Sequence, residues 1–183
     1  GAGGMSLGFE LSNKFSVIAA IDNWQPAIDT FRYNHPHIDD RYVICASVDD
    51  VFDETNENFK TIVDELIETG VDVIIGGPPC QGMSLAGKRL SEDPRNQLFK
   101  SFVKAVDRLK PIAFVMENVP GLLSTAGGEI NKAILKAFAD IGYNHFDSAR
   151  LYGQGHNETL LARVLKTRRN EVFIASKCGI EFD

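Results

Sequence analysis

Apolar residues recur along this chain with two different periods. Over residues 58–68, Phe59, Ile62, Val63, Leu66 and Ile67 fall at i, i+3, i+4, i+7 and i+8, the stripe of an amphipathic helix. Residues 25–34, 96–109 and 129–141 also read as helices. Between them stand short apolar runs at 15–21, 42–45, 71–75, 112–116 and 171–175. Apolar runs of this length, closed by turn residues, predict buried strands. Strands alternating with helices predict an α/β fold built on a doubly wound, mostly parallel sheet. No repeat or low-complexity tract interrupts the alternation, and a single domain over residues 1–183 is expected.

Two loops at predicted strand ends carry the candidate chemistry. Run 71–75 leads into Gly76-Gly77-Pro78-Pro79-Cys80-Gln81-Gly82-Met83-Ser84. This places a thiol just past the C-terminal edge of the sheet, where open α/β folds keep their ligands. Two prolines fix φ and remove two backbone donors, so Cys80 sits on a stiff loop suited to an oriented nucleophile. A structural turn with an incidental thiol is the alternative for such a loop taken alone. Run 112–116 leads in the same way into Glu117-Asn118-Val119-Pro120-Gly121. The glycine-rich opening Gly1-Ala2-Gly3-Gly4-Met5 precedes an apolar helix, and Asp22 closes run 15–21. An acid about 20 residues beyond a glycine loop is spaced to reach a ribose.

Composition narrows the setting. At 44% hydrophobic and 24% charged residues the chain resembles ordinary globular proteins, and no apolar run has membrane-spanning length. Cys45, Cys80 and Cys178 lack metal-ligand spacing, so neither a disulfide framework nor a bound metal is expected. A free Cys80 thiol suits the reducing cytoplasm. The net charge is −6, so a nucleic-acid partner requires local concentrations of base. Lys88, Arg89 and Arg95 form one, and Arg163, Lys166, Arg168 and Arg169 another; a solvated face is the bland reading of each.

The Pro-Cys and Glu-Asn-Val motifs, in this order and each closing an apolar run, resemble those of the cytosine-C5 methyltransferases. The resemblance runs from the first glycine loop to about Ser176. It implies the Rossmann-like fold of S-adenosylmethionine-dependent methyltransferases and methyl transfer from S-adenosylmethionine to C5 of cytosine in DNA. Cys80 would add to C6 of the base, Glu117 would protonate N3, and Arg169 would stand with them in the catalytic set. Methyl transfer to C5 and loss of its proton would then release Cys80. Cofactor contacts would come from Ala2, Gly3, Gly4, Met5, Asp22, Asn23, Trp24, Ser47, Val48, Pro78 and Leu98, with Asp49 an alternative to Ser47. Pro79, Gln81, Ser84, Lys88, Asn118 and Arg168 would meet the substrate. Duplex DNA with a flipped-out cytosine is the implied partner, and a restriction endonuclease the implied companion. Asn34-His35-Pro36 also resembles the family, with a helix-ending role.

One motif departs from the pattern. Relatives carry Gln-x-Arg-x-Arg before a Val-Phe strand, the second arginine holding the cytosine O2. In Thr167-Arg168-Arg169-Asn170-Glu171, before Val172-Phe173, the first arginine falls on Arg169 and the second on Glu171, so either Arg168 or Arg163 substitutes or base recognition is impaired. The family's first strand and target-recognition region also lack counterparts, so a fragment of a catalytic domain is expected. Transfer-RNA cytosine methylation and a non-catalytic regulatory role are the alternative readings.

Overall fold

The computed structural model describes residues 1–78, 98–117, 129–149 and 154–177. The chain divides into two compact units, Gly1–Pro79 with Ser101–Asn118, and Cys80–Lys100 with Val119–Asp183.

The first unit opens with Gly3 in the left-handed region at φ 93°, directly before α1 (Gly4–Leu11). It continues through β1 (Ala20–Asp22), α2 (Gln25–Asn34), β2 (Val43–Cys45), α3 (Val48–Val51), α4 (Glu57–Thr69) and β3 (Val73–Gly76). Helix α5 (Leu98–Leu109), which belongs to this unit from Ser101 onward, and β4 (Ala113–Met116) complete it. β1 pairs with β2 in parallel, Asp22 opposite Cys45. β3 pairs with β4 in parallel, Gly76 opposite Met116. Parallel neighbours require crossovers, and helices α2 and α5 occupy the connections.

Two apolar clusters fill the unit. Ile44, Val51, Phe52, Val63 and Ala105 bring β2, α3, α4 and α5 together, with Ile21 against them. Ile28, Phe31, Ile38 and Val43 fasten α2 to β2. Ile28 and Phe31 are almost wholly buried, and burying such a side chain stabilises by about 1.5–3 kcal/mol. On β3, a Cβ at Gly76 would lie 2.7 Å from the Phe102 ring, so this strand end approaches α5 as closely as it does only with glycine.

The first strand is shorter than its apolar run predicts. Phe15 is not laddered; its ring packs edge-on against Phe9 of α1 at 4.9 Å. The Val17 N–H donates to Glu10 Oε1 at 3.4 Å. Phe15 thus packs on α1, Val17 bonds to it while also lying against the Ile28–Phe31 cluster, and hydrogen-bonded pairing begins only at Ala20.

In the second unit, α6 (Glu129–Asp140) precedes β5 (His145–Asp147), α7 (His156–Leu165), a 3-10 turn (Lys166–Glu171) and β6 (Phe173–Ala175). β5 and β6 pair in parallel with His145 opposite Phe173, and α7 lies in the connection between them. Ala139, Leu161, Leu165 and Val172 form the core joining α6, α7 and β6. The described strands thus make three parallel pairs, an α/β arrangement; the ladders among the described residues do not join into one doubly wound sheet. Among the described residues no helix is long and apolar enough to cross a membrane.

Candidate active site at the strand ends of the first unit

The C-terminal end of β1 meets the glycine loop. The Gly1 amino group contacts the Asp22 carboxylate, and Asp22 Oδ1 also accepts the Trp24 N–H at 2.8 Å. Asp22 is thereby held in one orientation beside Gly3 and its neighbours. Trp24 caps α2 with its side chain 64% exposed, which leaves an open aromatic face next to the acid. Asn23 lies between the two and is also exposed. Ala2 and Gly4 are exposed, and Met5 is half-buried.

The end of β2 supplies a second group. The Ser47 hydroxyl accepts the Asp50 N–H at 3.0 Å and caps α3, so it is already engaged. Val48 is half-buried beside it. Asp49 Oδ2 accepts the Ser101 hydroxyl at 2.7 Å, and its carbonyl accepts Lys104 Nζ at 3.3 Å. Asp49 therefore ties α3 to α5.

β3 and β4 bring the two loop motifs together. The Glu117 N–H donates to the Gly76 carbonyl at 2.8 Å, extending the ladder past the last strand residues. The Glu117 carboxyl folds over Gly77, where a Cβ would stand 2.9 Å from Oε2. An exposed carboxyl thus lies against the start of the Pro78-Pro79-Cys80 loop. Pro78 is described, whereas Pro79, Cys80, Gln81, Ser84, Lys88 and Asn118 lie outside the described residues. Leu98, half-buried at the start of α5, falls in the other unit.

Arg168 and Arg169 belong to the second unit. Arg168 Nη1 donates to Asp140 Oδ1 and Nε to Glu171 Oε2, both at 2.9 Å, which joins the 3-10 turn to α6. Arg169 Nη1 donates to the Val172 carbonyl at 3.1 Å. A hollow of about 450 Å³ lies beside Arg169, His145 and Phe173.

One feature escapes sequence reasoning. His35, wholly buried, lies beneath the glycine loop: a Cβ on Gly3 would sit 2.8 Å from both His35 Nε2 and Phe31 Cδ2. Its ring stacks on Phe31 at 4.2 Å, and its Nδ1 meets Glu10 Oε2 at 2.9 Å. The only signal was the pattern Asn34-His35-Pro36-His37, which reads equally well as a helix terminus.

The model of the C-5 cytosine-specific DNA methylase family matches residues 1–153. This chain belongs to that family. Similar methylases include the type II methyltransferase M.XorII of Xanthomonas oryzae, 40% identical over 144 residues, 79% of this chain and 32% of that protein. M.AgeI of Thalassovita gelatinovora is 40% identical over 144 residues, 78% of this chain and 32% of that protein. The DNA (cytosine-5-)-methyltransferase M.ApeKI of Aeropyrum pernix is 35% identical over 167 residues, 86% of this chain and 35% of that protein. The chain spans about a third of the length of these methylases. Residues 127–183 match a second family model, that of the aldo/keto reductases, overlapping the methylase match over 127–153. Cys80 and Glu117 lie inside the methylase match; Arg168 and Arg169 lie beyond its end, within the second match.

Proposed function

We propose that this chain carries the donor-binding and nucleophile-bearing part of an enzyme that methylates C5 of cytosine in DNA. The observation that carries the reading is the Glu117 carboxyl folded over Gly77, at the root of the Cys80 loop and within the methylase match. S-Adenosylmethionine is the donor in this reading. Asp22 hydrogen-bonds its ribose, the Trp24 face and Asn23 lie along its adenine, and the loop Ala2-Gly3-Gly4-Met5 brings backbone close to it. Val48, Ser47, Pro78 and Leu98 complete the donor contacts. The donor's part in the chemistry is an electrophilic methyl group.

The residues of the chain do the rest. Cytosine C5 is a poor nucleophile until something adds at C6. The Cys80 thiolate forms an S–C6 bond, and the electron pair displaced from C5–C6 moves toward N3. Glu117 supplies the proton that neutralises N3. C5 then accepts the methyl group and loses its proton to a base, the S–C6 bond breaks to return the thiolate, and N3 gives its proton back to the Glu117 carboxylate. Pro79, Gln81, Ser84, Lys88 and Asn118 are the substrate contacts of this reading, with the base flipped from the duplex.

In the same reading β1–β4 belong to a doubly wound, Rossmann-like methyltransferase sheet. Support comes from their parallel pairing and from helices in the connections. The catalytic part lies within the methylase match, a restriction endonuclease is the companion, and the cytoplasm is the setting. Arg169 completes the catalytic set in this reading and Arg168 meets the base in place of the family's second arginine, whose position falls on Glu171; all three lie beyond the end of that match.

The deciding experiment uses a full-length protein containing this chain and DNA carrying 5-fluorocytosine. Fluorine cannot leave C5 as a proton does, so a covalent adduct accumulates. Mass spectrometry is expected to place it on the peptide containing Cys80. Cys80→Ser should abolish both adduct and methyl transfer, because a serine hydroxyl is hardly ionised at neutral pH, while leaving donor binding intact. An adduct elsewhere, or turnover by Cys80→Ser, overturns the assignment.

A further inference from the structure

We propose that Glu10, His35 and His37 form a binding site for a divalent transition-metal ion, zinc by the chemistry of its donors. The three side chains come from the end of α1 and from the turn after α2, and their donor atoms all lie within 4.8 Å of one another. The Glu10 carboxylate stands between two imidazoles, with His35 Nδ1 2.9 Å from Oε2 and His37 Nε2 2.9 Å from Oε1. A tetrahedral zinc ion with ligands about 2.0–2.1 Å away holds them roughly 3.4 Å apart. Accommodating one requires the carboxylate to withdraw slightly and the exposed His37 imidazole to close toward the fixed His35 ring.

The surroundings prepare the site. His35 is fully buried, and its ring is fixed by the Phe31 stack and by the Gly3 backbone, so little rotamer freedom remains to be lost on binding. Pro36 stiffens the backbone between the two histidines, whose rings stand 5.9 Å apart. His37 is 57% exposed and Glu10 19%, which gives an ion a path from solvent and room for a water ligand. Imidazole with a single carboxylate favours zinc over magnesium or calcium, which prefer all-oxygen sites. His35 Nε2 is buried without a partner among the described residues. A ligand imidazole normally donates its other N–H to an acceptor, so the site is expected to bind less tightly than one with a complete outer shell.

The site lies against Gly3, which the proposed function places at the donor, but its test is metal binding alone. The metal-free full chain is titrated with zinc in competition with a chromophoric chelator, and cobalt(II) is added separately for its visible spectrum. One ion per chain is expected, with a cobalt spectrum of nitrogen and oxygen ligation. Glu10→Gln and His37→Ala, both at partly exposed positions, should each weaken zinc at least about tenfold. His145→Gln, away from the site, should not. Circular dichroism of each metal-free variant checks that its fold is kept. Absence of one-to-one binding, equal affinity in wild type and both variants, or a sulfur-ligated cobalt spectrum each overturns the proposal.

Discussion

Asp22 arrives at its position already oriented. One carboxylate oxygen accepts the Trp24 N–H at 2.8 Å, and the residue pairs with Cys45 at the last rung of β1–β2. A ribose hydroxyl would meet an acceptor whose rotamer is fixed beforehand. Replacing it by alanine removes a charge-assisted bond worth roughly 1.5–3 kcal/mol. Asp22→Ala should therefore weaken S-adenosylmethionine binding by about 10- to 150-fold in calorimetry, whereas unchanged affinity would take Asp22 out of the site. Glu117 shows the same local logic, since its backbone bond to Gly76 sets where its carboxyl begins. Both acids were legible from the sequence because each directly closes an apolar run. The Glu10–His35 contact was not, because it joins residues 25 apart that carry no shared pattern.

At the scale of elements, periodicity succeeded where one face is buried. α4 spans Glu57–Thr69 and buries Val63 and Leu66, positions the helical stripe picks out. β3 and β4 each lie within two residues of the apolar runs that predict them. It failed where apolar residues serve something other than a ladder. Run 15–21 reads as a strand, yet Phe15 is taken up by Phe9. α7 was overlooked although Leu160, Leu161 and Leu165 are buried along it.

The ion pair from Arg168 to Asp140 makes a pH prediction between elements. Hydrogen bonding from Lys136 leads in holding the Asp140 carboxyl below its ordinary value of 3.8; slight desolvation opposes this, and Arg168 reinforces it. A folded-state value below the unfolded one contributes stability that is complete above the unfolded value. That contribution is lost as pH falls through the folded value. Urea midpoints of Asp140→Asn should therefore decline less steeply than wild type as pH drops below about 4. Equal slopes would show that the pair contributes nothing to acid stability.

For the whole molecule, the two units and the two family matches tell related but separate stories. The methylase match covers the Gly3, Asp22, Cys80 and Glu117 motifs and ends at residue 153. The aldo/keto reductase match begins at residue 127 and takes in β5, α7 and β6. A parallel β–α–β unit is common to many α/β enzymes, so alternation of elements alone names a fold class and not a family. The net charge of −6 leaves any DNA contact to local basic groups, and Lys88, Arg89 and Arg95 follow the Cys80 loop directly in sequence.

The packing beneath Gly3 also sorts glycines that look alike in the sequence. Gly3, Gly4 and Gly8 are separated by only a few residues and are indistinguishable by residue type. A methyl group at Gly8 meets nothing within 4 Å, and alanine there should favour α1 by about 0.5–1 kcal/mol. The same methyl group at Gly3 strikes His35 and Phe31, on a backbone at φ 93°. In a saturation library selected for folded protein, Gly8→Ala should be retained or enriched while every substitution at Gly3 is depleted. Codon 3 would then record the packing of α1 on α2, a constraint imposed from the interior on an exposed glycine-rich loop.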